Sequence, residues 1–309
     1  MAQVSAPGSS PTSRSPTGTD GVLLKSPSAV GLSGEYRGGS GDDRFMALTV
    51  ITDPDAIAPL LDARLRADPV RATVLGTIRL GLTERQCWCA LAAGGGMAVR
   101  SGPSYPIHLD GSWAPAELDR LAAELTRLPE LRGVAGPIAV VSDLVERLPI
   151  QPTRRTALRL LRLDQLHPPA GVPGQSRPAT VEDQPTVQRW YTAFGAEAGT
   201  AFGDVDRAVA DAVGGGGCWL WLDPDSAVVS LATRRPVIAG SARVGPVYTP
   251  AQYRGHGYGS AVTTVATRDI LDDGGIPVLF TDLANPTSND IYQRLGYQPV
   301  EDRLQIELR

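Results

Sequence analysis

Apolar positions recur along this chain at two spacings, and the switches between them lay out its elements. Ile57, Leu60, Leu61 and Leu65 fall at helical spacing behind Asp53 and Pro54, a cap and a first-turn proline, so a helix is expected there. Val70–Leu80 reads as a second short helix. Three strand-like runs follow, Cys87–Ala93, Met97–Arg100 and Tyr105–Leu109, and then an amphipathic helix over Ala114–Leu128 opened by Pro115. Val134–Val141 and Thr156–Leu163 read as strands. His167–Arg177, dense in proline and glycine, reads as a linker.

The second half begins with a strand over Arg177–Val181. A helix capped by Thr180 or Asp183 runs to Glu197, with Val187, Trp190, Tyr191 and Phe194 on one face. Asp204–Val213 is a further helix, broken by Gly214–Gly217. Cys218–Leu222 and Ala227–Thr233 form a hairpin around Asp223-Pro224-Asp225. A long strand over Ile238–Tyr248, a helix over Ala261–Leu271, a strand over Pro277–Leu283, a helix over Ser288–Leu295 and a strand over Gln298–Leu308 complete the chain. Strands mixed with helices in both halves place the fold in the α/β (α+β) class.

Composition narrows the function. A length of 309 residues allows roughly two domains. A net charge of −4 with no basic stripe argues against a nucleic-acid partner. No apolar run approaches the roughly 20 residues that span a bilayer, so no membrane partner is expected. Residues 1–45, rich in Ser, Gly, Pro and Thr, carry too little apolar surface to fold, and a disordered tail is expected; Met46 reads as an alternative start. Cys87 and Cys89 flank Trp88 on one strand face and read as small core residues, with no metal cluster near them. A reducing, cytoplasmic setting fits three unpaired cysteines.

The candidate chemistry lies in Val247–Ala261, V-Y-T-P-A-Q-Y-R-G-H-G-Y-G-S-A, where a strand hands over to a helix through Gly255, Gly257 and Gly259. The first-turn N–H groups of such a helix lack intrahelical partners and sit at the positive end of its dipole, a ready site for phosphate. Glycines let the backbone approach the anion, and Arg254 adds a charge-assisted contact. The spacing is neither G-x-x-x-x-G-K-[ST] nor G-x-G-x-x-G, so neither a P-loop nor a dinucleotide fingerprint is present.

Arg254, Gly257 and Gly259 resemble instead the R-x-x-G-x-G/A signature of the GNAT N-acetyltransferases. A second signature of that family follows in L-F-T-D-L-A-N-P-T-S-N-D-I-Y-Q-R-L-G-Y, where Asn285, Tyr292, Gly296 and Tyr297 fill the family's places in order. The resemblance covers about the last 130 residues, a fair domain size. It implies a GNAT fold, a mixed and mostly antiparallel sheet flanked by helices, over 177–309. Residues 46–166 follow the family's element order but lack its glycine loop, so they read as a degenerate copy or as an unrelated α/β cap, joined by a linker over 167–176. Tandem arrangements with one working half are known in the family.

The resemblance also implies acetyl-CoA as cofactor and a small amine or amino acid as acceptor. The cofactor's diphosphate would lie on the backbone from Arg254 through Gly255, His256, Gly257, Tyr258 and Gly259 to Ser260. Its amide-bearing arm would pair with Val247 and Tyr248, and Asn285 and Ser288 would lie close by. Val247 N–H is the expected oxyanion donor. Tyr292 matches the family's general acid; on residues alone it also reads as a core tyrosine. A lysine-type amine costs about 4.6 kcal/mol to deprotonate at pH 7, an α-amine about 1 kcal/mol. Glu197 and Asp282 are the candidate bases, and Glu197 also reads as a plain surface carboxylate. A different class, a non-catalytic acyl-CoA sensor, stays open because the strand before the loop has no carboxylate.

Overall fold

Polypeptide from 48–82, 86–198 and 204–308 is described by the computed structural model, and these residues belong to one compact unit. The first set of elements is β1 (Leu48–Ile51), α1 (Pro54–Ala67), α2 (Thr73–Leu80), β2 (Trp88–Ala92), β3 (Met97–Arg100), β4 (Ile107–Asp110), α3 (Pro115–Leu125), β5 (Gly133–Pro137), α4 (Ile138–Arg147) and β6 (Pro152–Leu163). The second is β7 (Gln175–Pro178), α5 (Gln184–Ala198), α6 (Val205–Gly214), β8 (Cys218–Leu222), β9 (Val228–Arg234), β10 (Ser241–Tyr248), α7 (Tyr258–Asp272), β11 (Ile276–Asp282), α8 (Pro286–Arg294) and β12 (Tyr297–Leu308). Each set runs strand, two helices, three strands, helix, strand, helix, strand.

Two expectations are corrected. The strand over Val134–Val141 ends at Pro137, and Ile138–Arg147 is the helix α4. Its run of β-branched residues reads as strand, but Val141, Leu144 and Val145 are buried at helical spacing. The strand over Ile238–Tyr248 starts three residues later, because Ala239 and Gly240 take φ of 49° and 92° and make a turn. The tail at 1–45 and Met46 lie outside the described residues.

The strands form one sheet in the order β1-β2-β3-β4-β5-β12-β6-β11-β10-β9-β8-β7. Only β4–β5 and β10–β11 pair in parallel among the described strands. The order contains an exchange. β12, the last strand of the second set, pairs with β5 of the first, Ile306 opposite Val134. β6, the last strand of the first set, pairs with β11 of the second, Leu161 opposite Leu279. β6 and β12 then pair with each other through the centre, clamped by Arg159 donating to both Asp302 carboxylate oxygens at 2.6 and 2.8 Å.

The exchange carries apolar side chains across. Leu304, Ile306 and Leu308 of β12 are buried against α3 and α4, whereas Leu161 and Leu163 of β6 are buried with α7 and α8. At about 1.5–3 kcal/mol for each buried aliphatic side chain, the three β12 residues alone stabilise the first core by on the order of 5 kcal/mol.

Helices cover both faces. Alternate residues of one strand serve the two layers: Cys89 packs under α1 and α2, while Trp88 and Ala90 pack under α3 and α4. All three cysteines are buried and unpaired, as small core residues should be. In the second set, α5 and α6 pack on Leu220 and Leu231, and α7 and α8 on Ala232 and Leu279. Near the middle of the sheet α2 and α6 border a shared cavity of about 490 Å³.

Candidate active site

The loop ahead of α7 is built for close backbone approach. After the short 3-10 turn Ala251–Tyr253, Gly255 and Gly257 take φ of 84° and 80°, the left-handed region that glycine enters freely. Gly257 occupies the cap position of α7. The first intrahelical bond runs from Ala261 N–H to the Gly257 carbonyl at 3.0 Å. The amides of Tyr258, Gly259 and Ser260 therefore have no carbonyl partner within the helix, and they sit at its positive end. A Cβ on Gly257 would lie 3.0 Å from Val172 Cγ2, and one on Gly259 would lie 3.3 Å from Thr249 Oγ1. This bare, amide-lined turn fits a diphosphate group.

Immediately before the loop the sheet opens. β10 pairs with β11 over only three residues, ending at Arg243 opposite Val278. Gly245, at φ 134°, and Pro246 follow through a cis peptide bond, and the pairing of β10 with β9 shifts register between Val244 and Val247. Proline has no N–H to give a ladder, so pairing with β11 cannot run on through it. Val247 and Tyr248 lie beyond that point and lead into the glycine turn.

The structure brings three sequence-expected residues together. Tyr248 Oη donates to Glu197 Oε1 at 2.8 Å, and Arg254 Nη2 donates to Glu197 Oε2 at 2.6 Å. Arg254 also donates from Nε to the Thr249 carbonyl at 2.9 Å and lies over the Tyr248 ring. The hydrogen bonds from Tyr248 and Arg254 hold the Glu197 carboxyl below the usual carboxylate range, while burial and the facing Glu197 push the Tyr248 phenol up. His256 Nδ1 contacts the Arg254 carbonyl at 3.0 Å, and its ring stacks on Tyr258.

The other expected residues cluster around α8. Asn285 caps that helix, its side chain accepting from Ser288 N–H at 3.0 Å. Tyr292 meets the Tyr297 ring edge-on at 6.2 Å, and burial pushes its phenol up to about 12. Tyr297 is itself tied through its hydroxyl to Thr267 Oγ1 at 2.7 Å. Asp282 accepts from Ala284 N–H at 2.8 Å and lines the central cavity.

That cavity also holds charged residues the sequence reading did not single out. Arg243, Gly245 and Pro246 border it from β10, Phe280 from β11, and Arg100 and His108 from the first set of elements. Arg243 and Arg303 both lie over the Phe280 ring. Burial, then the charges of Arg303 and Arg243, hold His108 well below the usual imidazole range, and its Nε2 faces Arg303 Nη1 at 3.2 Å. The available signal was a charged or imidazole residue inside apolar strand runs, as in I-H-L-D and S-A-R-V.

The matching position in the first set is closed. The helix after β4 is α3, and Glu117 in its first turn is only 3% exposed. Its carboxylate accepts from Ala114 N–H at 2.9 Å and from Gly94 N–H at 2.7 Å. The chain's own anion thus sits in the first turn of α3, where α7 carries no acidic residue.

Comparison with known proteins agrees with this layout. Residues 227–306 match the family model described as FR47-like protein. No curated protein matches the sequence. Among solved structures, an acetyltransferase of the GNAT family from Colwellia psychrerythraea aligns at TM-score 0.54 and 11% identity, covering 85% of this chain and 100% of its own. A GCN5-related N-acetyltransferase from Kribbella flavida aligns at TM-score 0.51 and 20% identity, covering 82% and 98%. A tandem GNAT protein from the clavulanic acid biosynthesis pathway aligns at TM-score 0.51 and 12% identity, covering 85% and 98%.

Proposed function

We propose that this chain, which carries the GNAT acetyltransferase fold, is an acetyl-CoA-dependent N-acetyltransferase acting on a small amine or amino acid. The observation that carries the reading is the glycine-lined start of α7 directly beyond the point where β10 and β11 part. We assign the catalytic domain to 177–309 and a degenerate half to 46–166, because Glu117 occupies the equivalent helix start in the first set.

Bound there, acetyl-CoA would supply a thioester-activated acetyl group. The chain's own residues do the remaining work. Arg254 and the backbone from Gly255 to Ser260 hold the diphosphate, with His256 beside them. Val247 and Tyr248 offer a backbone edge to the extended arm, and Val247 N–H donates where negative charge develops. Asn285 and Ser288 fix the start of α8 near the opening. Tyr292 is the proton donor, and a phenol pushed up to about 12 stays protonated at neutral pH. Glu197, bonded on both oxygens and held low, is a weak base. A weak base suits an α-amine, which needs only about 1 kcal/mol for deprotonation at pH 7.

The test is transfer of labelled acetyl from acetyl-CoA to a panel of amines. Tyr292→Phe is expected to lower kcat by roughly 10²-fold with coenzyme A affinity unchanged. Gly257→Glu is expected to abolish coenzyme A binding measured by calorimetry, since it places both a side chain and a like charge in the cradle. Unchanged affinity in Gly257→Glu refutes the placement. Saturable coenzyme A binding with turnover of no amine favours the second reading, an acyl-CoA sensor; the absence of a carboxylate along β10 is the observation behind it.

A further inference from the structure

The cavity between α2 and α6 reaches the parted strands at Val244, Gly245 and Pro246, and, resting on the acetyltransferase reading, we take it as the entry for the acceptor. We propose that the cavity selects an acceptor amine bearing an anionic group, a carboxylate or a phosphate, and that Arg243 binds that group.

Arg243 is the last β10 residue paired with β11, directly before the opening. Its guanidinium touches Thr77 Oγ1 at 3.2 Å and lies over the Phe280 ring; no carboxylate pairs with it among the described residues. Burial and the charge of Arg235 lower it to about 10, which leaves it cationic at neutral pH. Arg100 is 4% exposed and gives Nη1 to the Glu130 carbonyl at 2.6 Å, while its Nε has no partner. Arg303, also buried in the wall, is different: it is satisfied by Glu301 at 2.7 Å, by His108 and by the Arg71 carbonyl at 2.7 Å.

The acidic side chains of the wall are engaged elsewhere. Asp204 caps α6 by accepting from Arg207 N–H at 2.9 Å, Asp211 lies 4.0 Å from Arg207, and Asp282 accepts from Ala284 N–H. Arg243 is thus a half-buried cation facing the cavity with no carboxylate on it among the described residues, and an anionic ligand supplies the partner that a partly desolvated charge favours. A guanidinium presents a planar donor fork that matches carboxylate and phosphate oxygens. Phe280 beneath Arg243 keeps that fork on an apolar floor. Thr77, which holds the Arg243 guanidinium, comes from the first set of elements and Arg243 from the second, so the anion site is complete only when both halves are present.

The experiment measures calorimetric binding, with coenzyme A present, of amino acids, of their neutral amides and of phosphorylated amino alcohols, to wild-type and Arg243→Gln protein. Wild type is expected to bind the best acid or phosphate at least tenfold tighter than its neutral counterpart, and Arg243→Gln to lose most of that preference. Carboxylate-only or phosphate-only preference identifies the group. Equal binding of charged and neutral partners by wild type overturns the proposal, as does failure of every anionic compound to bind at millimolar concentration. If Arg243→Gln does not fold, as judged by circular dichroism, the wild-type comparison decides alone. If the preference holds but no amine is acetylated, the anion site stands and the acetyltransferase reading falls.

Discussion

Side-chain ionisation at single residues offers a direct check on the described contacts. Asp183 receives both Arg177 nitrogens at 2.6 and 2.9 Å and the Thr180 N–H at 2.8 Å, and the Arg177 bonds lead in holding its carboxyl down at about 2. Its folded value lies below the ordinary 3.8, so the stabilisation is complete above 3.8 and drains away as pH falls toward about 2. Asp183→Asn should cost on the order of 1–2 kcal/mol at pH 7, discounted for the partial exposure of Arg177. Urea unfolding of both proteins at pH 7 and pH 3 checks this; the gap should narrow clearly at the lower pH. A gap of equal size at both would remove the ion pair as its cause. Residue-scale geometry was legible where it sits in one contiguous run, as for the glycine turn from Gly255 to Gly259 ahead of α7. It was not legible for His108, Arg243 and Arg303, because residues on β4, β10 and β12 come together only through the folded sheet.

Elements are where backbone conformation decides. Gly296 follows α8 at φ 97°, and a Cβ there would collide with the Gln165 carbonyl oxygen. Gly274 follows α7 at φ 72° with open space around it. Both alanine substitutions meet the left-handed strain, about 1 kcal/mol, but only Gly296→Ala adds a backbone clash. Gly296→Ala should therefore lower the unfolding midpoint distinctly more than Gly274→Ala, as read by denaturant titration. Similar losses would show that Gln165 moves aside without cost. Element types were read correctly wherever periodicity and turn residues agreed, as for α7 and the β8–β9 hairpin. They failed at Ile138–Arg147, where a β-branched run concealed a helical burial pattern.

At the scale of the whole molecule the exchanged strands predict mutual dependence. Separated, residues 46–166 would lose Leu304, Ile306 and Leu308 from their core and leave the β5 edge unpaired. Residues 177–309 would likewise lose Leu161 and Leu163 and the strand beside β11. Each piece expressed alone should lack a cooperative thermal transition, and co-expression of the two should restore it. Two pieces that melt cooperatively as separate monomers would refute the structural role given to the exchange.

The sequence by itself determined most element types and the glycine turn with its flanking arginine, because these rest on local spacing and backbone preference. Only the tertiary structure decided which strands are neighbours, that β12 and β6 change places, and that Glu117 of α3 ties the Gly94 turn to its own helix start. It also decided that cations from both halves share one cavity. Strand pairing and charge convergence arise from contacts between distant segments, which no local pattern encodes.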